Sequence, residues 1–332
     1  MILVKTPFRV SLFGGGTDFP KYYNKHGGTV IGGTIDKYSY ILLKNLPNNF
    51  EHKHRFAWAI NEDINDTKKI KHPVVRAIFK KYKIKDGIEI HHFSDMPSRS
   101  GLGSSSSFVV GITNAFNVYM KKKLSHKGLL DESIHLEKKI LKEKTGMQDL
   151  VWATYGGFKQ INFAKNNITP SNIKINTKNQ KQLEDNLILF NSMISRYSER
   201  IENSKLVNLE KNISIYEDLK TYVLECKKLL ISNNLSSIDE IGKLLHDYWK
   251  QKKLLSKSVT NSYIDEIYDN AISVGALGGK LLGAGGGGYF LFYCKKQYQR
   301  KLINRLSKFK YTKFSFSDNG SSIIYNNNLL IF

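Results

Sequence analysis

Glycine placement constrains this chain more than any other feature. The total is ordinary, 25 in 332 residues, but eight glycines fall between Gly275 and Gly288 and three are consecutive at Gly14, Gly15 and Gly16. Such runs make poor helix or strand interiors, because glycine loses the most backbone entropy on ordering and offers no side chain to bury. They mark loops that need positive φ or a close approach to a ligand. Residues 283–288 formally match G-x-G-x-x-G, a dinucleotide-binding pattern that must follow a strand and open a helix. Here a helical pattern precedes the loop and the aromatic run 289–294 follows as a strand. The dinucleotide reading fails on context.

Apolar alternation predicts strands at 2–4 with 8–13, 29–35, 38–43 and 88–93. Helical spacing predicts helices at 74–82, from the serines at 104 onward, and from a Ser125 cap to about residue 144. Residues 61–72 read as loop. A polar stretch over 165–182 is the expected boundary between domains at 1–170 and 171–332. Beyond it come a strand at 187–190, helices within 195–231, 237–255 and 262–274, and strands at 289–294, 313–317 and 323–325. Strands and helices interleave in both halves, so the class is α+β with two domains. A length prior of roughly 150 residues per domain agrees.

Composition excludes several classes. Hydrophobic residues make 41% and charged residues 24%, which fits a globular chain rather than a disordered one. No apolar run nears the roughly 18 residues of a membrane span, and the N-terminus lacks a secretory pattern. Cys226 and Cys294 cannot build a disulfide framework or a four-cysteine zinc site. A soluble, cytoplasmic protein with no membrane partner is expected. The formal net charge of +22 favours anionic partners: nucleic acid, a membrane surface or phosphorylated metabolites. The basic residues are scattered and lack the basic–aromatic patches of an RNA reader.

Residues 97–107 suit phosphate chemistry. Gly101 and Gly103 bracket Leu102, and Ser104, Ser105 and Ser106 sit where a helix begins, with Ser98 just upstream. A helix N-terminus offers unpaired N–H groups and a positive dipole end to an anion. The Walker pattern G-x-x-x-x-G-K-[ST] is absent, so this is not a P-loop protein. A serine-rich helix cap explains the same residues equally well in isolation.

Three segments in order break that tie. Residues 6–18 run Thr-Pro-Phe-Arg-Val-Ser-Leu-Phe-Gly-Gly-Gly-Thr-Asp, the loop at 97–107 comes second, and residues 280–288 come last. Together they resemble the three signature motifs of the GHMP kinases across almost the whole chain. The resemblance implies a ribosomal-protein-like N-terminal domain, a ferredoxin-like C-terminal domain, and ATP with Mg²⁺ between them. It implies a sugar kinase acting on the anomeric hydroxyl of a heptose 7-phosphate. Fucokinase- or galactokinase-like activity is the alternative, and a non-catalytic RNA-binding protein the reading from another class.

The resemblance also implies roles. Asp149 would take the proton from the acceptor hydroxyl, and Arg9 would stabilise the ionised oxygen or hold Asp149 charged. Ser105 and Glu137 would hold Mg²⁺, with Ser104 a further candidate. Asp18, with Gly15, Gly16 and Thr17, would hold the sugar, and Gly15 and Gly16 stand where galactokinases carry Glu-His, leaving room for a bulkier acceptor. Gly285 and Gly286 would approach the substrate. Arg196 and Lys159 are guesses for a clamp on a second phosphate. Each has a plainer reading: Glu137 paired with a lysine, Asp149 a helix cap, Arg9 a surface ion pair. The oligomeric state is not legible.

Overall fold

The computed structural model describes residues 1–194, 198–232, 234 and 236–327. In the first half the elements are β1 (Ile2–Phe13), α1 (Pro20–His26), β2 (Gly28–Asn45), β3 (His54–Ala57), β4 (Asn61–Ile64), α2 (Pro73–Tyr82), β5 (Ile88–Ser94), α3 (Ser104–Tyr119), α4 (His126–Ile134), α5 (Gln148–Tyr155), β6 (Phe158–Ala164) and β7 (Asn167–Asn172). In the second they are α6 (Thr177–Asn186), β8 (Leu187–Asn191), α7 (Ser198–Val207), α8 (Ile213–Ile231), α9 (Ser236–Leu254), α10 (Ser262–Ser273), β9 (Ala276–Leu281), β10 (Tyr289–Cys294), α11 (Lys296–Arg305), β11 (Tyr311–Thr312) and β12 (Ser322–Asn326).

The first sheet has eight strands, ordered β12-β1-β2-β5-β3-β4, with β6 and β7 branching from β2. The branch exists because β2 is 18 residues long. Its first part pairs β6 and its second part pairs β5, while β1 follows both. One face of this sheet carries α3, α4 and α5, closing a core around Ile41, Val110, Ile112, Phe116 and Trp152. The second sheet is antiparallel, ordered β11-β8-β10-β9. Its chain order is strand, helices, strand, strand, helix, strand, the ferredoxin-like arrangement that the resemblance implies.

The two halves share a core. Phe8, Val10 and Leu12 of β1 cluster with Leu187 and Leu189 of β8, Leu219 and Val223 of α8, and Leu245 of α9. Burying apolar surface at roughly 25 cal/mol per Å² holds that seam shut without covalent links. Residues of β1 that face the seam but carry polar groups are therefore held at fixed positions between the two sheets.

Several expectations need correction. Residues 61–72 contain β4, which pairs with β3 (neither was foreseen). The helix from Ser125 ends its α geometry at Ile134 and continues as a π-helical turn, His135–Ile140. Residues 313–317 form no strand; β11 precedes them and Phe316 makes one bridge, to Ile35. The expected helical stretch 195–231 is divided between α7 and α8, and its first three residues lie outside the described residues. A strand, β9, and not a helix, directly precedes the glycine run at 283–288, because Lys280, Leu281 and Leu282 are buried on pairing with β10. The second domain is not contiguous from 171 to 332: β12 returns to pair with β1 on the first sheet.

Candidate active site

A cleft of about 630 Å3 opens along the seam between the sheets. Its first wall is the loop that opens α3. Arg99, Gly101 and Gly103 have φ of 58°, 78° and 82°, and the buried Leu102 side chain anchors the loop in the shared core. Leu102 thus holds the loop from behind rather than facing the cleft. α3 begins at Ser104 with Gly103 as its cap and no side-chain cap bond. The first N–H groups of such a helix lack intrahelical partners, and here Ser104, Ser105 and Ser106 line the cleft, as do Ser98, Gly101 and Gly103. That is an anion-binding geometry.

β1 delivers Arg9 to the same point. Its backbone N–H donates to Leu102 O at 3.0 Å, and Nη1 donates to Gly101 O at 2.6 Å. The remaining edge of the guanidinium grips Asp149: Nε donates to Oδ1 and Nη2 to Oδ2, both at 2.7 Å. A bidentate charge-assisted pair fixes orientation as well as charge. Arg9 is 5% exposed and Asp149 24%, so the carboxylate is the more open of two groups that both line the cleft. Asp149 lies in the first turn of α5 without capping it, so neither the helix-cap reading nor the surface-pair reading applies. The φ of 82° favours glycine at 103, and a Cβ there would also sit tightly, 3.3 Å from Arg9 Cγ and 3.4 Å from Asp149 Oδ2.

Glu137 sits on the π-helical turn, 2% exposed. Ser106 Oγ donates to its Oε2 at 2.9 Å and Thr145 Oγ1 to its Oε1 at 2.8 Å; Lys138 Nζ is 2.8 Å from Oε1. The serine bonded to it is Ser106; Ser105 lines the cleft beside it without a bond to Glu137. The lysine pairing of the plainer reading is therefore real, but it coexists with burial against the phosphate loop. Ionised carboxylates have about four acceptor positions, and Oε2 carries one recorded donor. A hard cation that keeps its waters and takes one or two protein oxygens plus phosphate fits such a donor set.

The third wall comes from motif one. Asp18 is buried, and its oxygens accept from Gly16 N–H at 2.9 Å and Gln148 N–H at 3.1 Å. Burial raises its pKa, and the negative charge of Asp149 adds to the effect. Gly15 and Gly16 line the cleft with it. Thr17 does not: its hydroxyl is fully buried, 2.8 Å from Gly14 O and 2.9 Å from Thr29 O, tying the turn to β2. Gly285 and Gly286 also turn away. A Cβ on Gly285 would meet Val259 O at 2.8 Å, and Gly286 N–H donates to Val259 O at 2.7 Å. Motif three instead shows Gly283 and Ala284 to the cleft. Lys159 points to Asn172 on β7, outside the cleft, and Arg196 lies outside the described residues.

Two groups of cleft residues were not found from sequence. Lys205, Lys252 and Lys280 are each buried yet reach the cleft wall. Lys252 donates to Leu281 O and Gly283 O at 2.8 and 2.9 Å, and Lys280 to Ser11 O and Leu12 O at 2.9 and 2.7 Å. Burial lowers the pKa of Lys280 well below its ordinary value, with the Arg9 and Lys205 charges acting in the same direction. Glu202 of α7 joins them, and burial raises its pKa despite Lys205 beside it. At the other end, Trp58, His72, His92 and Phe108 form an aromatic wall with ring centroids 4.7–4.8 Å apart in successive contacts. Burial lowers the pKa of both histidines to about 4, so they are neutral flat surfaces at pH 7. Lys280 opens motif three, but nothing local marked it, Lys205, Lys252 or the aromatic wall as facing one cleft, because they converge from distant elements.

Comparison with known proteins agrees with this geometry. The sequence matches the family description "GHMP kinases N terminal domain" over residues 68–157 and "GHMP kinases C terminal" over 227–312. It is 30% identical to the D-glycero-alpha-D-manno-heptose 7-phosphate kinase of Campylobacter jejuni, covering 96% of this chain and 97% of that protein. A crystal structure described as a D-glycero-D-manno-heptose 1-phosphate kinase from Bacteroides thetaiotaomicron superposes with a TM-score of 0.78 at 22% identity, covering 98% of this chain and all of that one. A putative sugar kinase from Campylobacter jejuni gives 0.73 at 28% identity, over 97% and 98% of the two chains.

Proposed function

This chain belongs to the GHMP kinase family, whose members transfer phosphate from ATP to an alcohol, and we propose that its acceptor is a heptose 7-phosphate, phosphorylated at the anomeric hydroxyl to the 1,7-bisphosphate. The observation that carries the chemistry is the bidentate Arg9–Asp149 pair set against the uncapped start of α3. The acceptor is supported by the relative that is 30% identical over almost the full length of both chains.

Each step then has a residue. The aromatic wall takes the planar base of ATP, and the N–H groups of Ser104 to Ser106 take its phosphates, where donors and dipole both favour negative charge. Asp149 accepts the proton of the attacking hydroxyl, and Arg9 holds the carboxylate in one orientation and offsets charge that develops on the oxygen. Asp18 keeps acceptor capacity for sugar hydroxyls. Mg²⁺, when bound with ATP, would neutralise the phosphate oxygens. Glu137 with Ser106 or Ser105 would hold it. The partner is a small phosphorylated sugar rather than nucleic acid, since the positive residues that matter here lie buried along a cleft of about 630 Å3.

A coupled assay of ADP release with Mg-ATP tests the proposal on heptose 7-phosphate, unphosphorylated heptose, galactose and fucose. Turnover confined to the 7-phosphate, abolished in Asp149→Ala, is the expected result. Turnover of free fucose or galactose in preference would overturn the heptose assignment and keep the kinase.

A further inference from the structure

Three lysines reach the cleft from the second half of the chain, each from a different element. Lys205 of α7, Lys252 of α9 and Lys280 of β9 line its wall with Gly283 and Ala284, and each is only 2–4% exposed. Lysine is seldom buried so far, because taking an ammonium out of water is costly. Their backbone partners are neutral carbonyls. Lys205 donates to Ala284 O, Lys252 to Leu281 O and Gly283 O, and Lys280 to Ser11 O and Leu12 O. An ammonium has three donors, so Lys280 keeps one for an occupant of the cleft. The charges that act on Lys280, those of Arg9 and Lys205, are both positive.

This wall is separate from the anion site at the start of α3, and α7 relates it to the reacting end of the cleft. Glu202 and Lys205 are three residues apart, so they share one face of that helix. Glu202 feels the charges of Asp149 and Asp18 as well as that of Lys205. Its Oε2 is buried and lacks a hydrogen-bond partner among the described residues. A sugar whose reacting hydroxyl lies at Asp149 therefore meets Glu202 next, where a hydroxyl can bond, and the lysines beyond it. Asp149 itself is committed to Arg9. The far end of such an acceptor lies against positive charge.

We propose that Lys205, Lys252 and Lys280 form a second phosphate subsite, a clamp for the phosphate monoester at the end of the acceptor remote from the hydroxyl that is phosphorylated. A phosphate monoester carries close to two negative charges and three strong acceptor oxygens. Three ammonium groups converging from separate elements match both. The carbonyls that hold Lys252 and Lys280 fix their positions in advance, so binding orders little that is not already ordered. The assignment rests on the sugar-kinase reading above and adds the wall of the site that tells a phosphorylated sugar from a free one.

Inorganic phosphate is the probe, titrated calorimetrically into the full chain with a non-hydrolysable ATP analogue already bound. The wild type should still bind phosphate, and heptose 7-phosphate should displace it where unphosphorylated heptose does not. Lys205→Gln keeps a donor but removes the charge, and should weaken phosphate binding by about tenfold or more, the size of one lost charge-assisted hydrogen bond. It should raise the KM for heptose 7-phosphate by a similar factor and move the KM for ATP by less than about threefold. Lys252→Gln repeats the measurement from another element in case Lys205→Gln does not fold. No phosphate binding by the wild type, or an unchanged acceptor KM in both variants, would overturn the clamp and leave the lysines as braces of motif three. A raised KM for ATP in place of the acceptor would overturn it too, giving the lysines to the ATP phosphates. If no acceptor is turned over, the kinase reading fails, and the phosphate titration alone decides the subsite.

Discussion

The two glycine-containing loops that pack against each other at the cleft have opposite fates. At 101–104 the glycines turn the backbone so that a helix starts with its N–H groups directed at the cleft, uncapped. At 283–288 the loop joins two antiparallel strands and spends its donors on protein. Gly286 N–H goes to Val259 O, Gly288 N–H to Ile194 O, and Tyr289 N–H to Ser100 O. In the proposed function the first loop receives an anion, and the second braces it. The difference teaches that glycine clustering marks tight backbone approach, while the element that follows decides whether a ligand or the protein itself makes the approach.

The largest expected effect comes from chemistry on the first side. Asp149→Asn keeps the shape of the Arg9 contact but removes the proton acceptor, and kcat should fall by about 10²–10⁴-fold with ATP binding retained. Activity within about tenfold of wild type would remove Asp149 from proton transfer. Next, Gly101→Ala should disturb both loops together, since its φ is 78° and a Cβ would lie 2.7 Å from Leu282 O. A stability loss of about 1–3 kcal/mol with a raised KM for ATP is expected; denaturant melts and ATP titration would show it. A smaller and more selective effect is expected at Gly285→Ala, where φ is 107° and Val259 blocks the Cβ. Stability should drop by a similar amount, but the KM for ATP should hardly move. Equal ATP defects in the two variants would break the distinction between a receiving loop and a bracing one.

The smallest effect concerns Glu202, which faces the cleft from α7. Burial raises its pKa above the ordinary 4.5, so the folded chain holds a proton that the unfolded chain releases. Stability must then fall as pH rises above about 4.5, because the unfolded state binds fewer protons there. Glu202→Gln should flatten this part of the melting-temperature profile between about pH 5 and 8. Identical slopes in variant and wild type would show that the Glu202 carboxyl does not hold its proton through burial at the cleft.

Much of the site was legible because it lies in short local patterns. Arg9 and Asp18 stand in one segment with the glycines of motif one, Ser104 to Ser106 follow Gly101 and Gly103, and Glu137 interrupts an apolar stripe. Local backbone chemistry makes those patterns, so they survive in a linear reading. The errors arose where a residue's direction depends on a partner far away. Thr17 faces β2, and Gly285 faces Val259. Strands β3 and β4 were missed because each has only four residues, too few for periodicity to rise above a polar background.

By itself the sequence determined the class of fold, the order of three glycine loops, the family likeness, and the acidic and basic residues that chemistry would need. Those follow from local propensity, φ requirements and hydrophobic period, which each segment carries alone. Tertiary structure decided which of those residues meet. Packing α5 against β1 brings Arg9 to Asp149, 140 positions away in the chain, and closing β1 against the second sheet completes the cleft. The same closure gathers buried lysines from α7, α9 and β9, and sets Tyr248 behind Gly15. These contacts form because burying the shared core fixes both sheets in one register, and nothing local to any segment encodes that register.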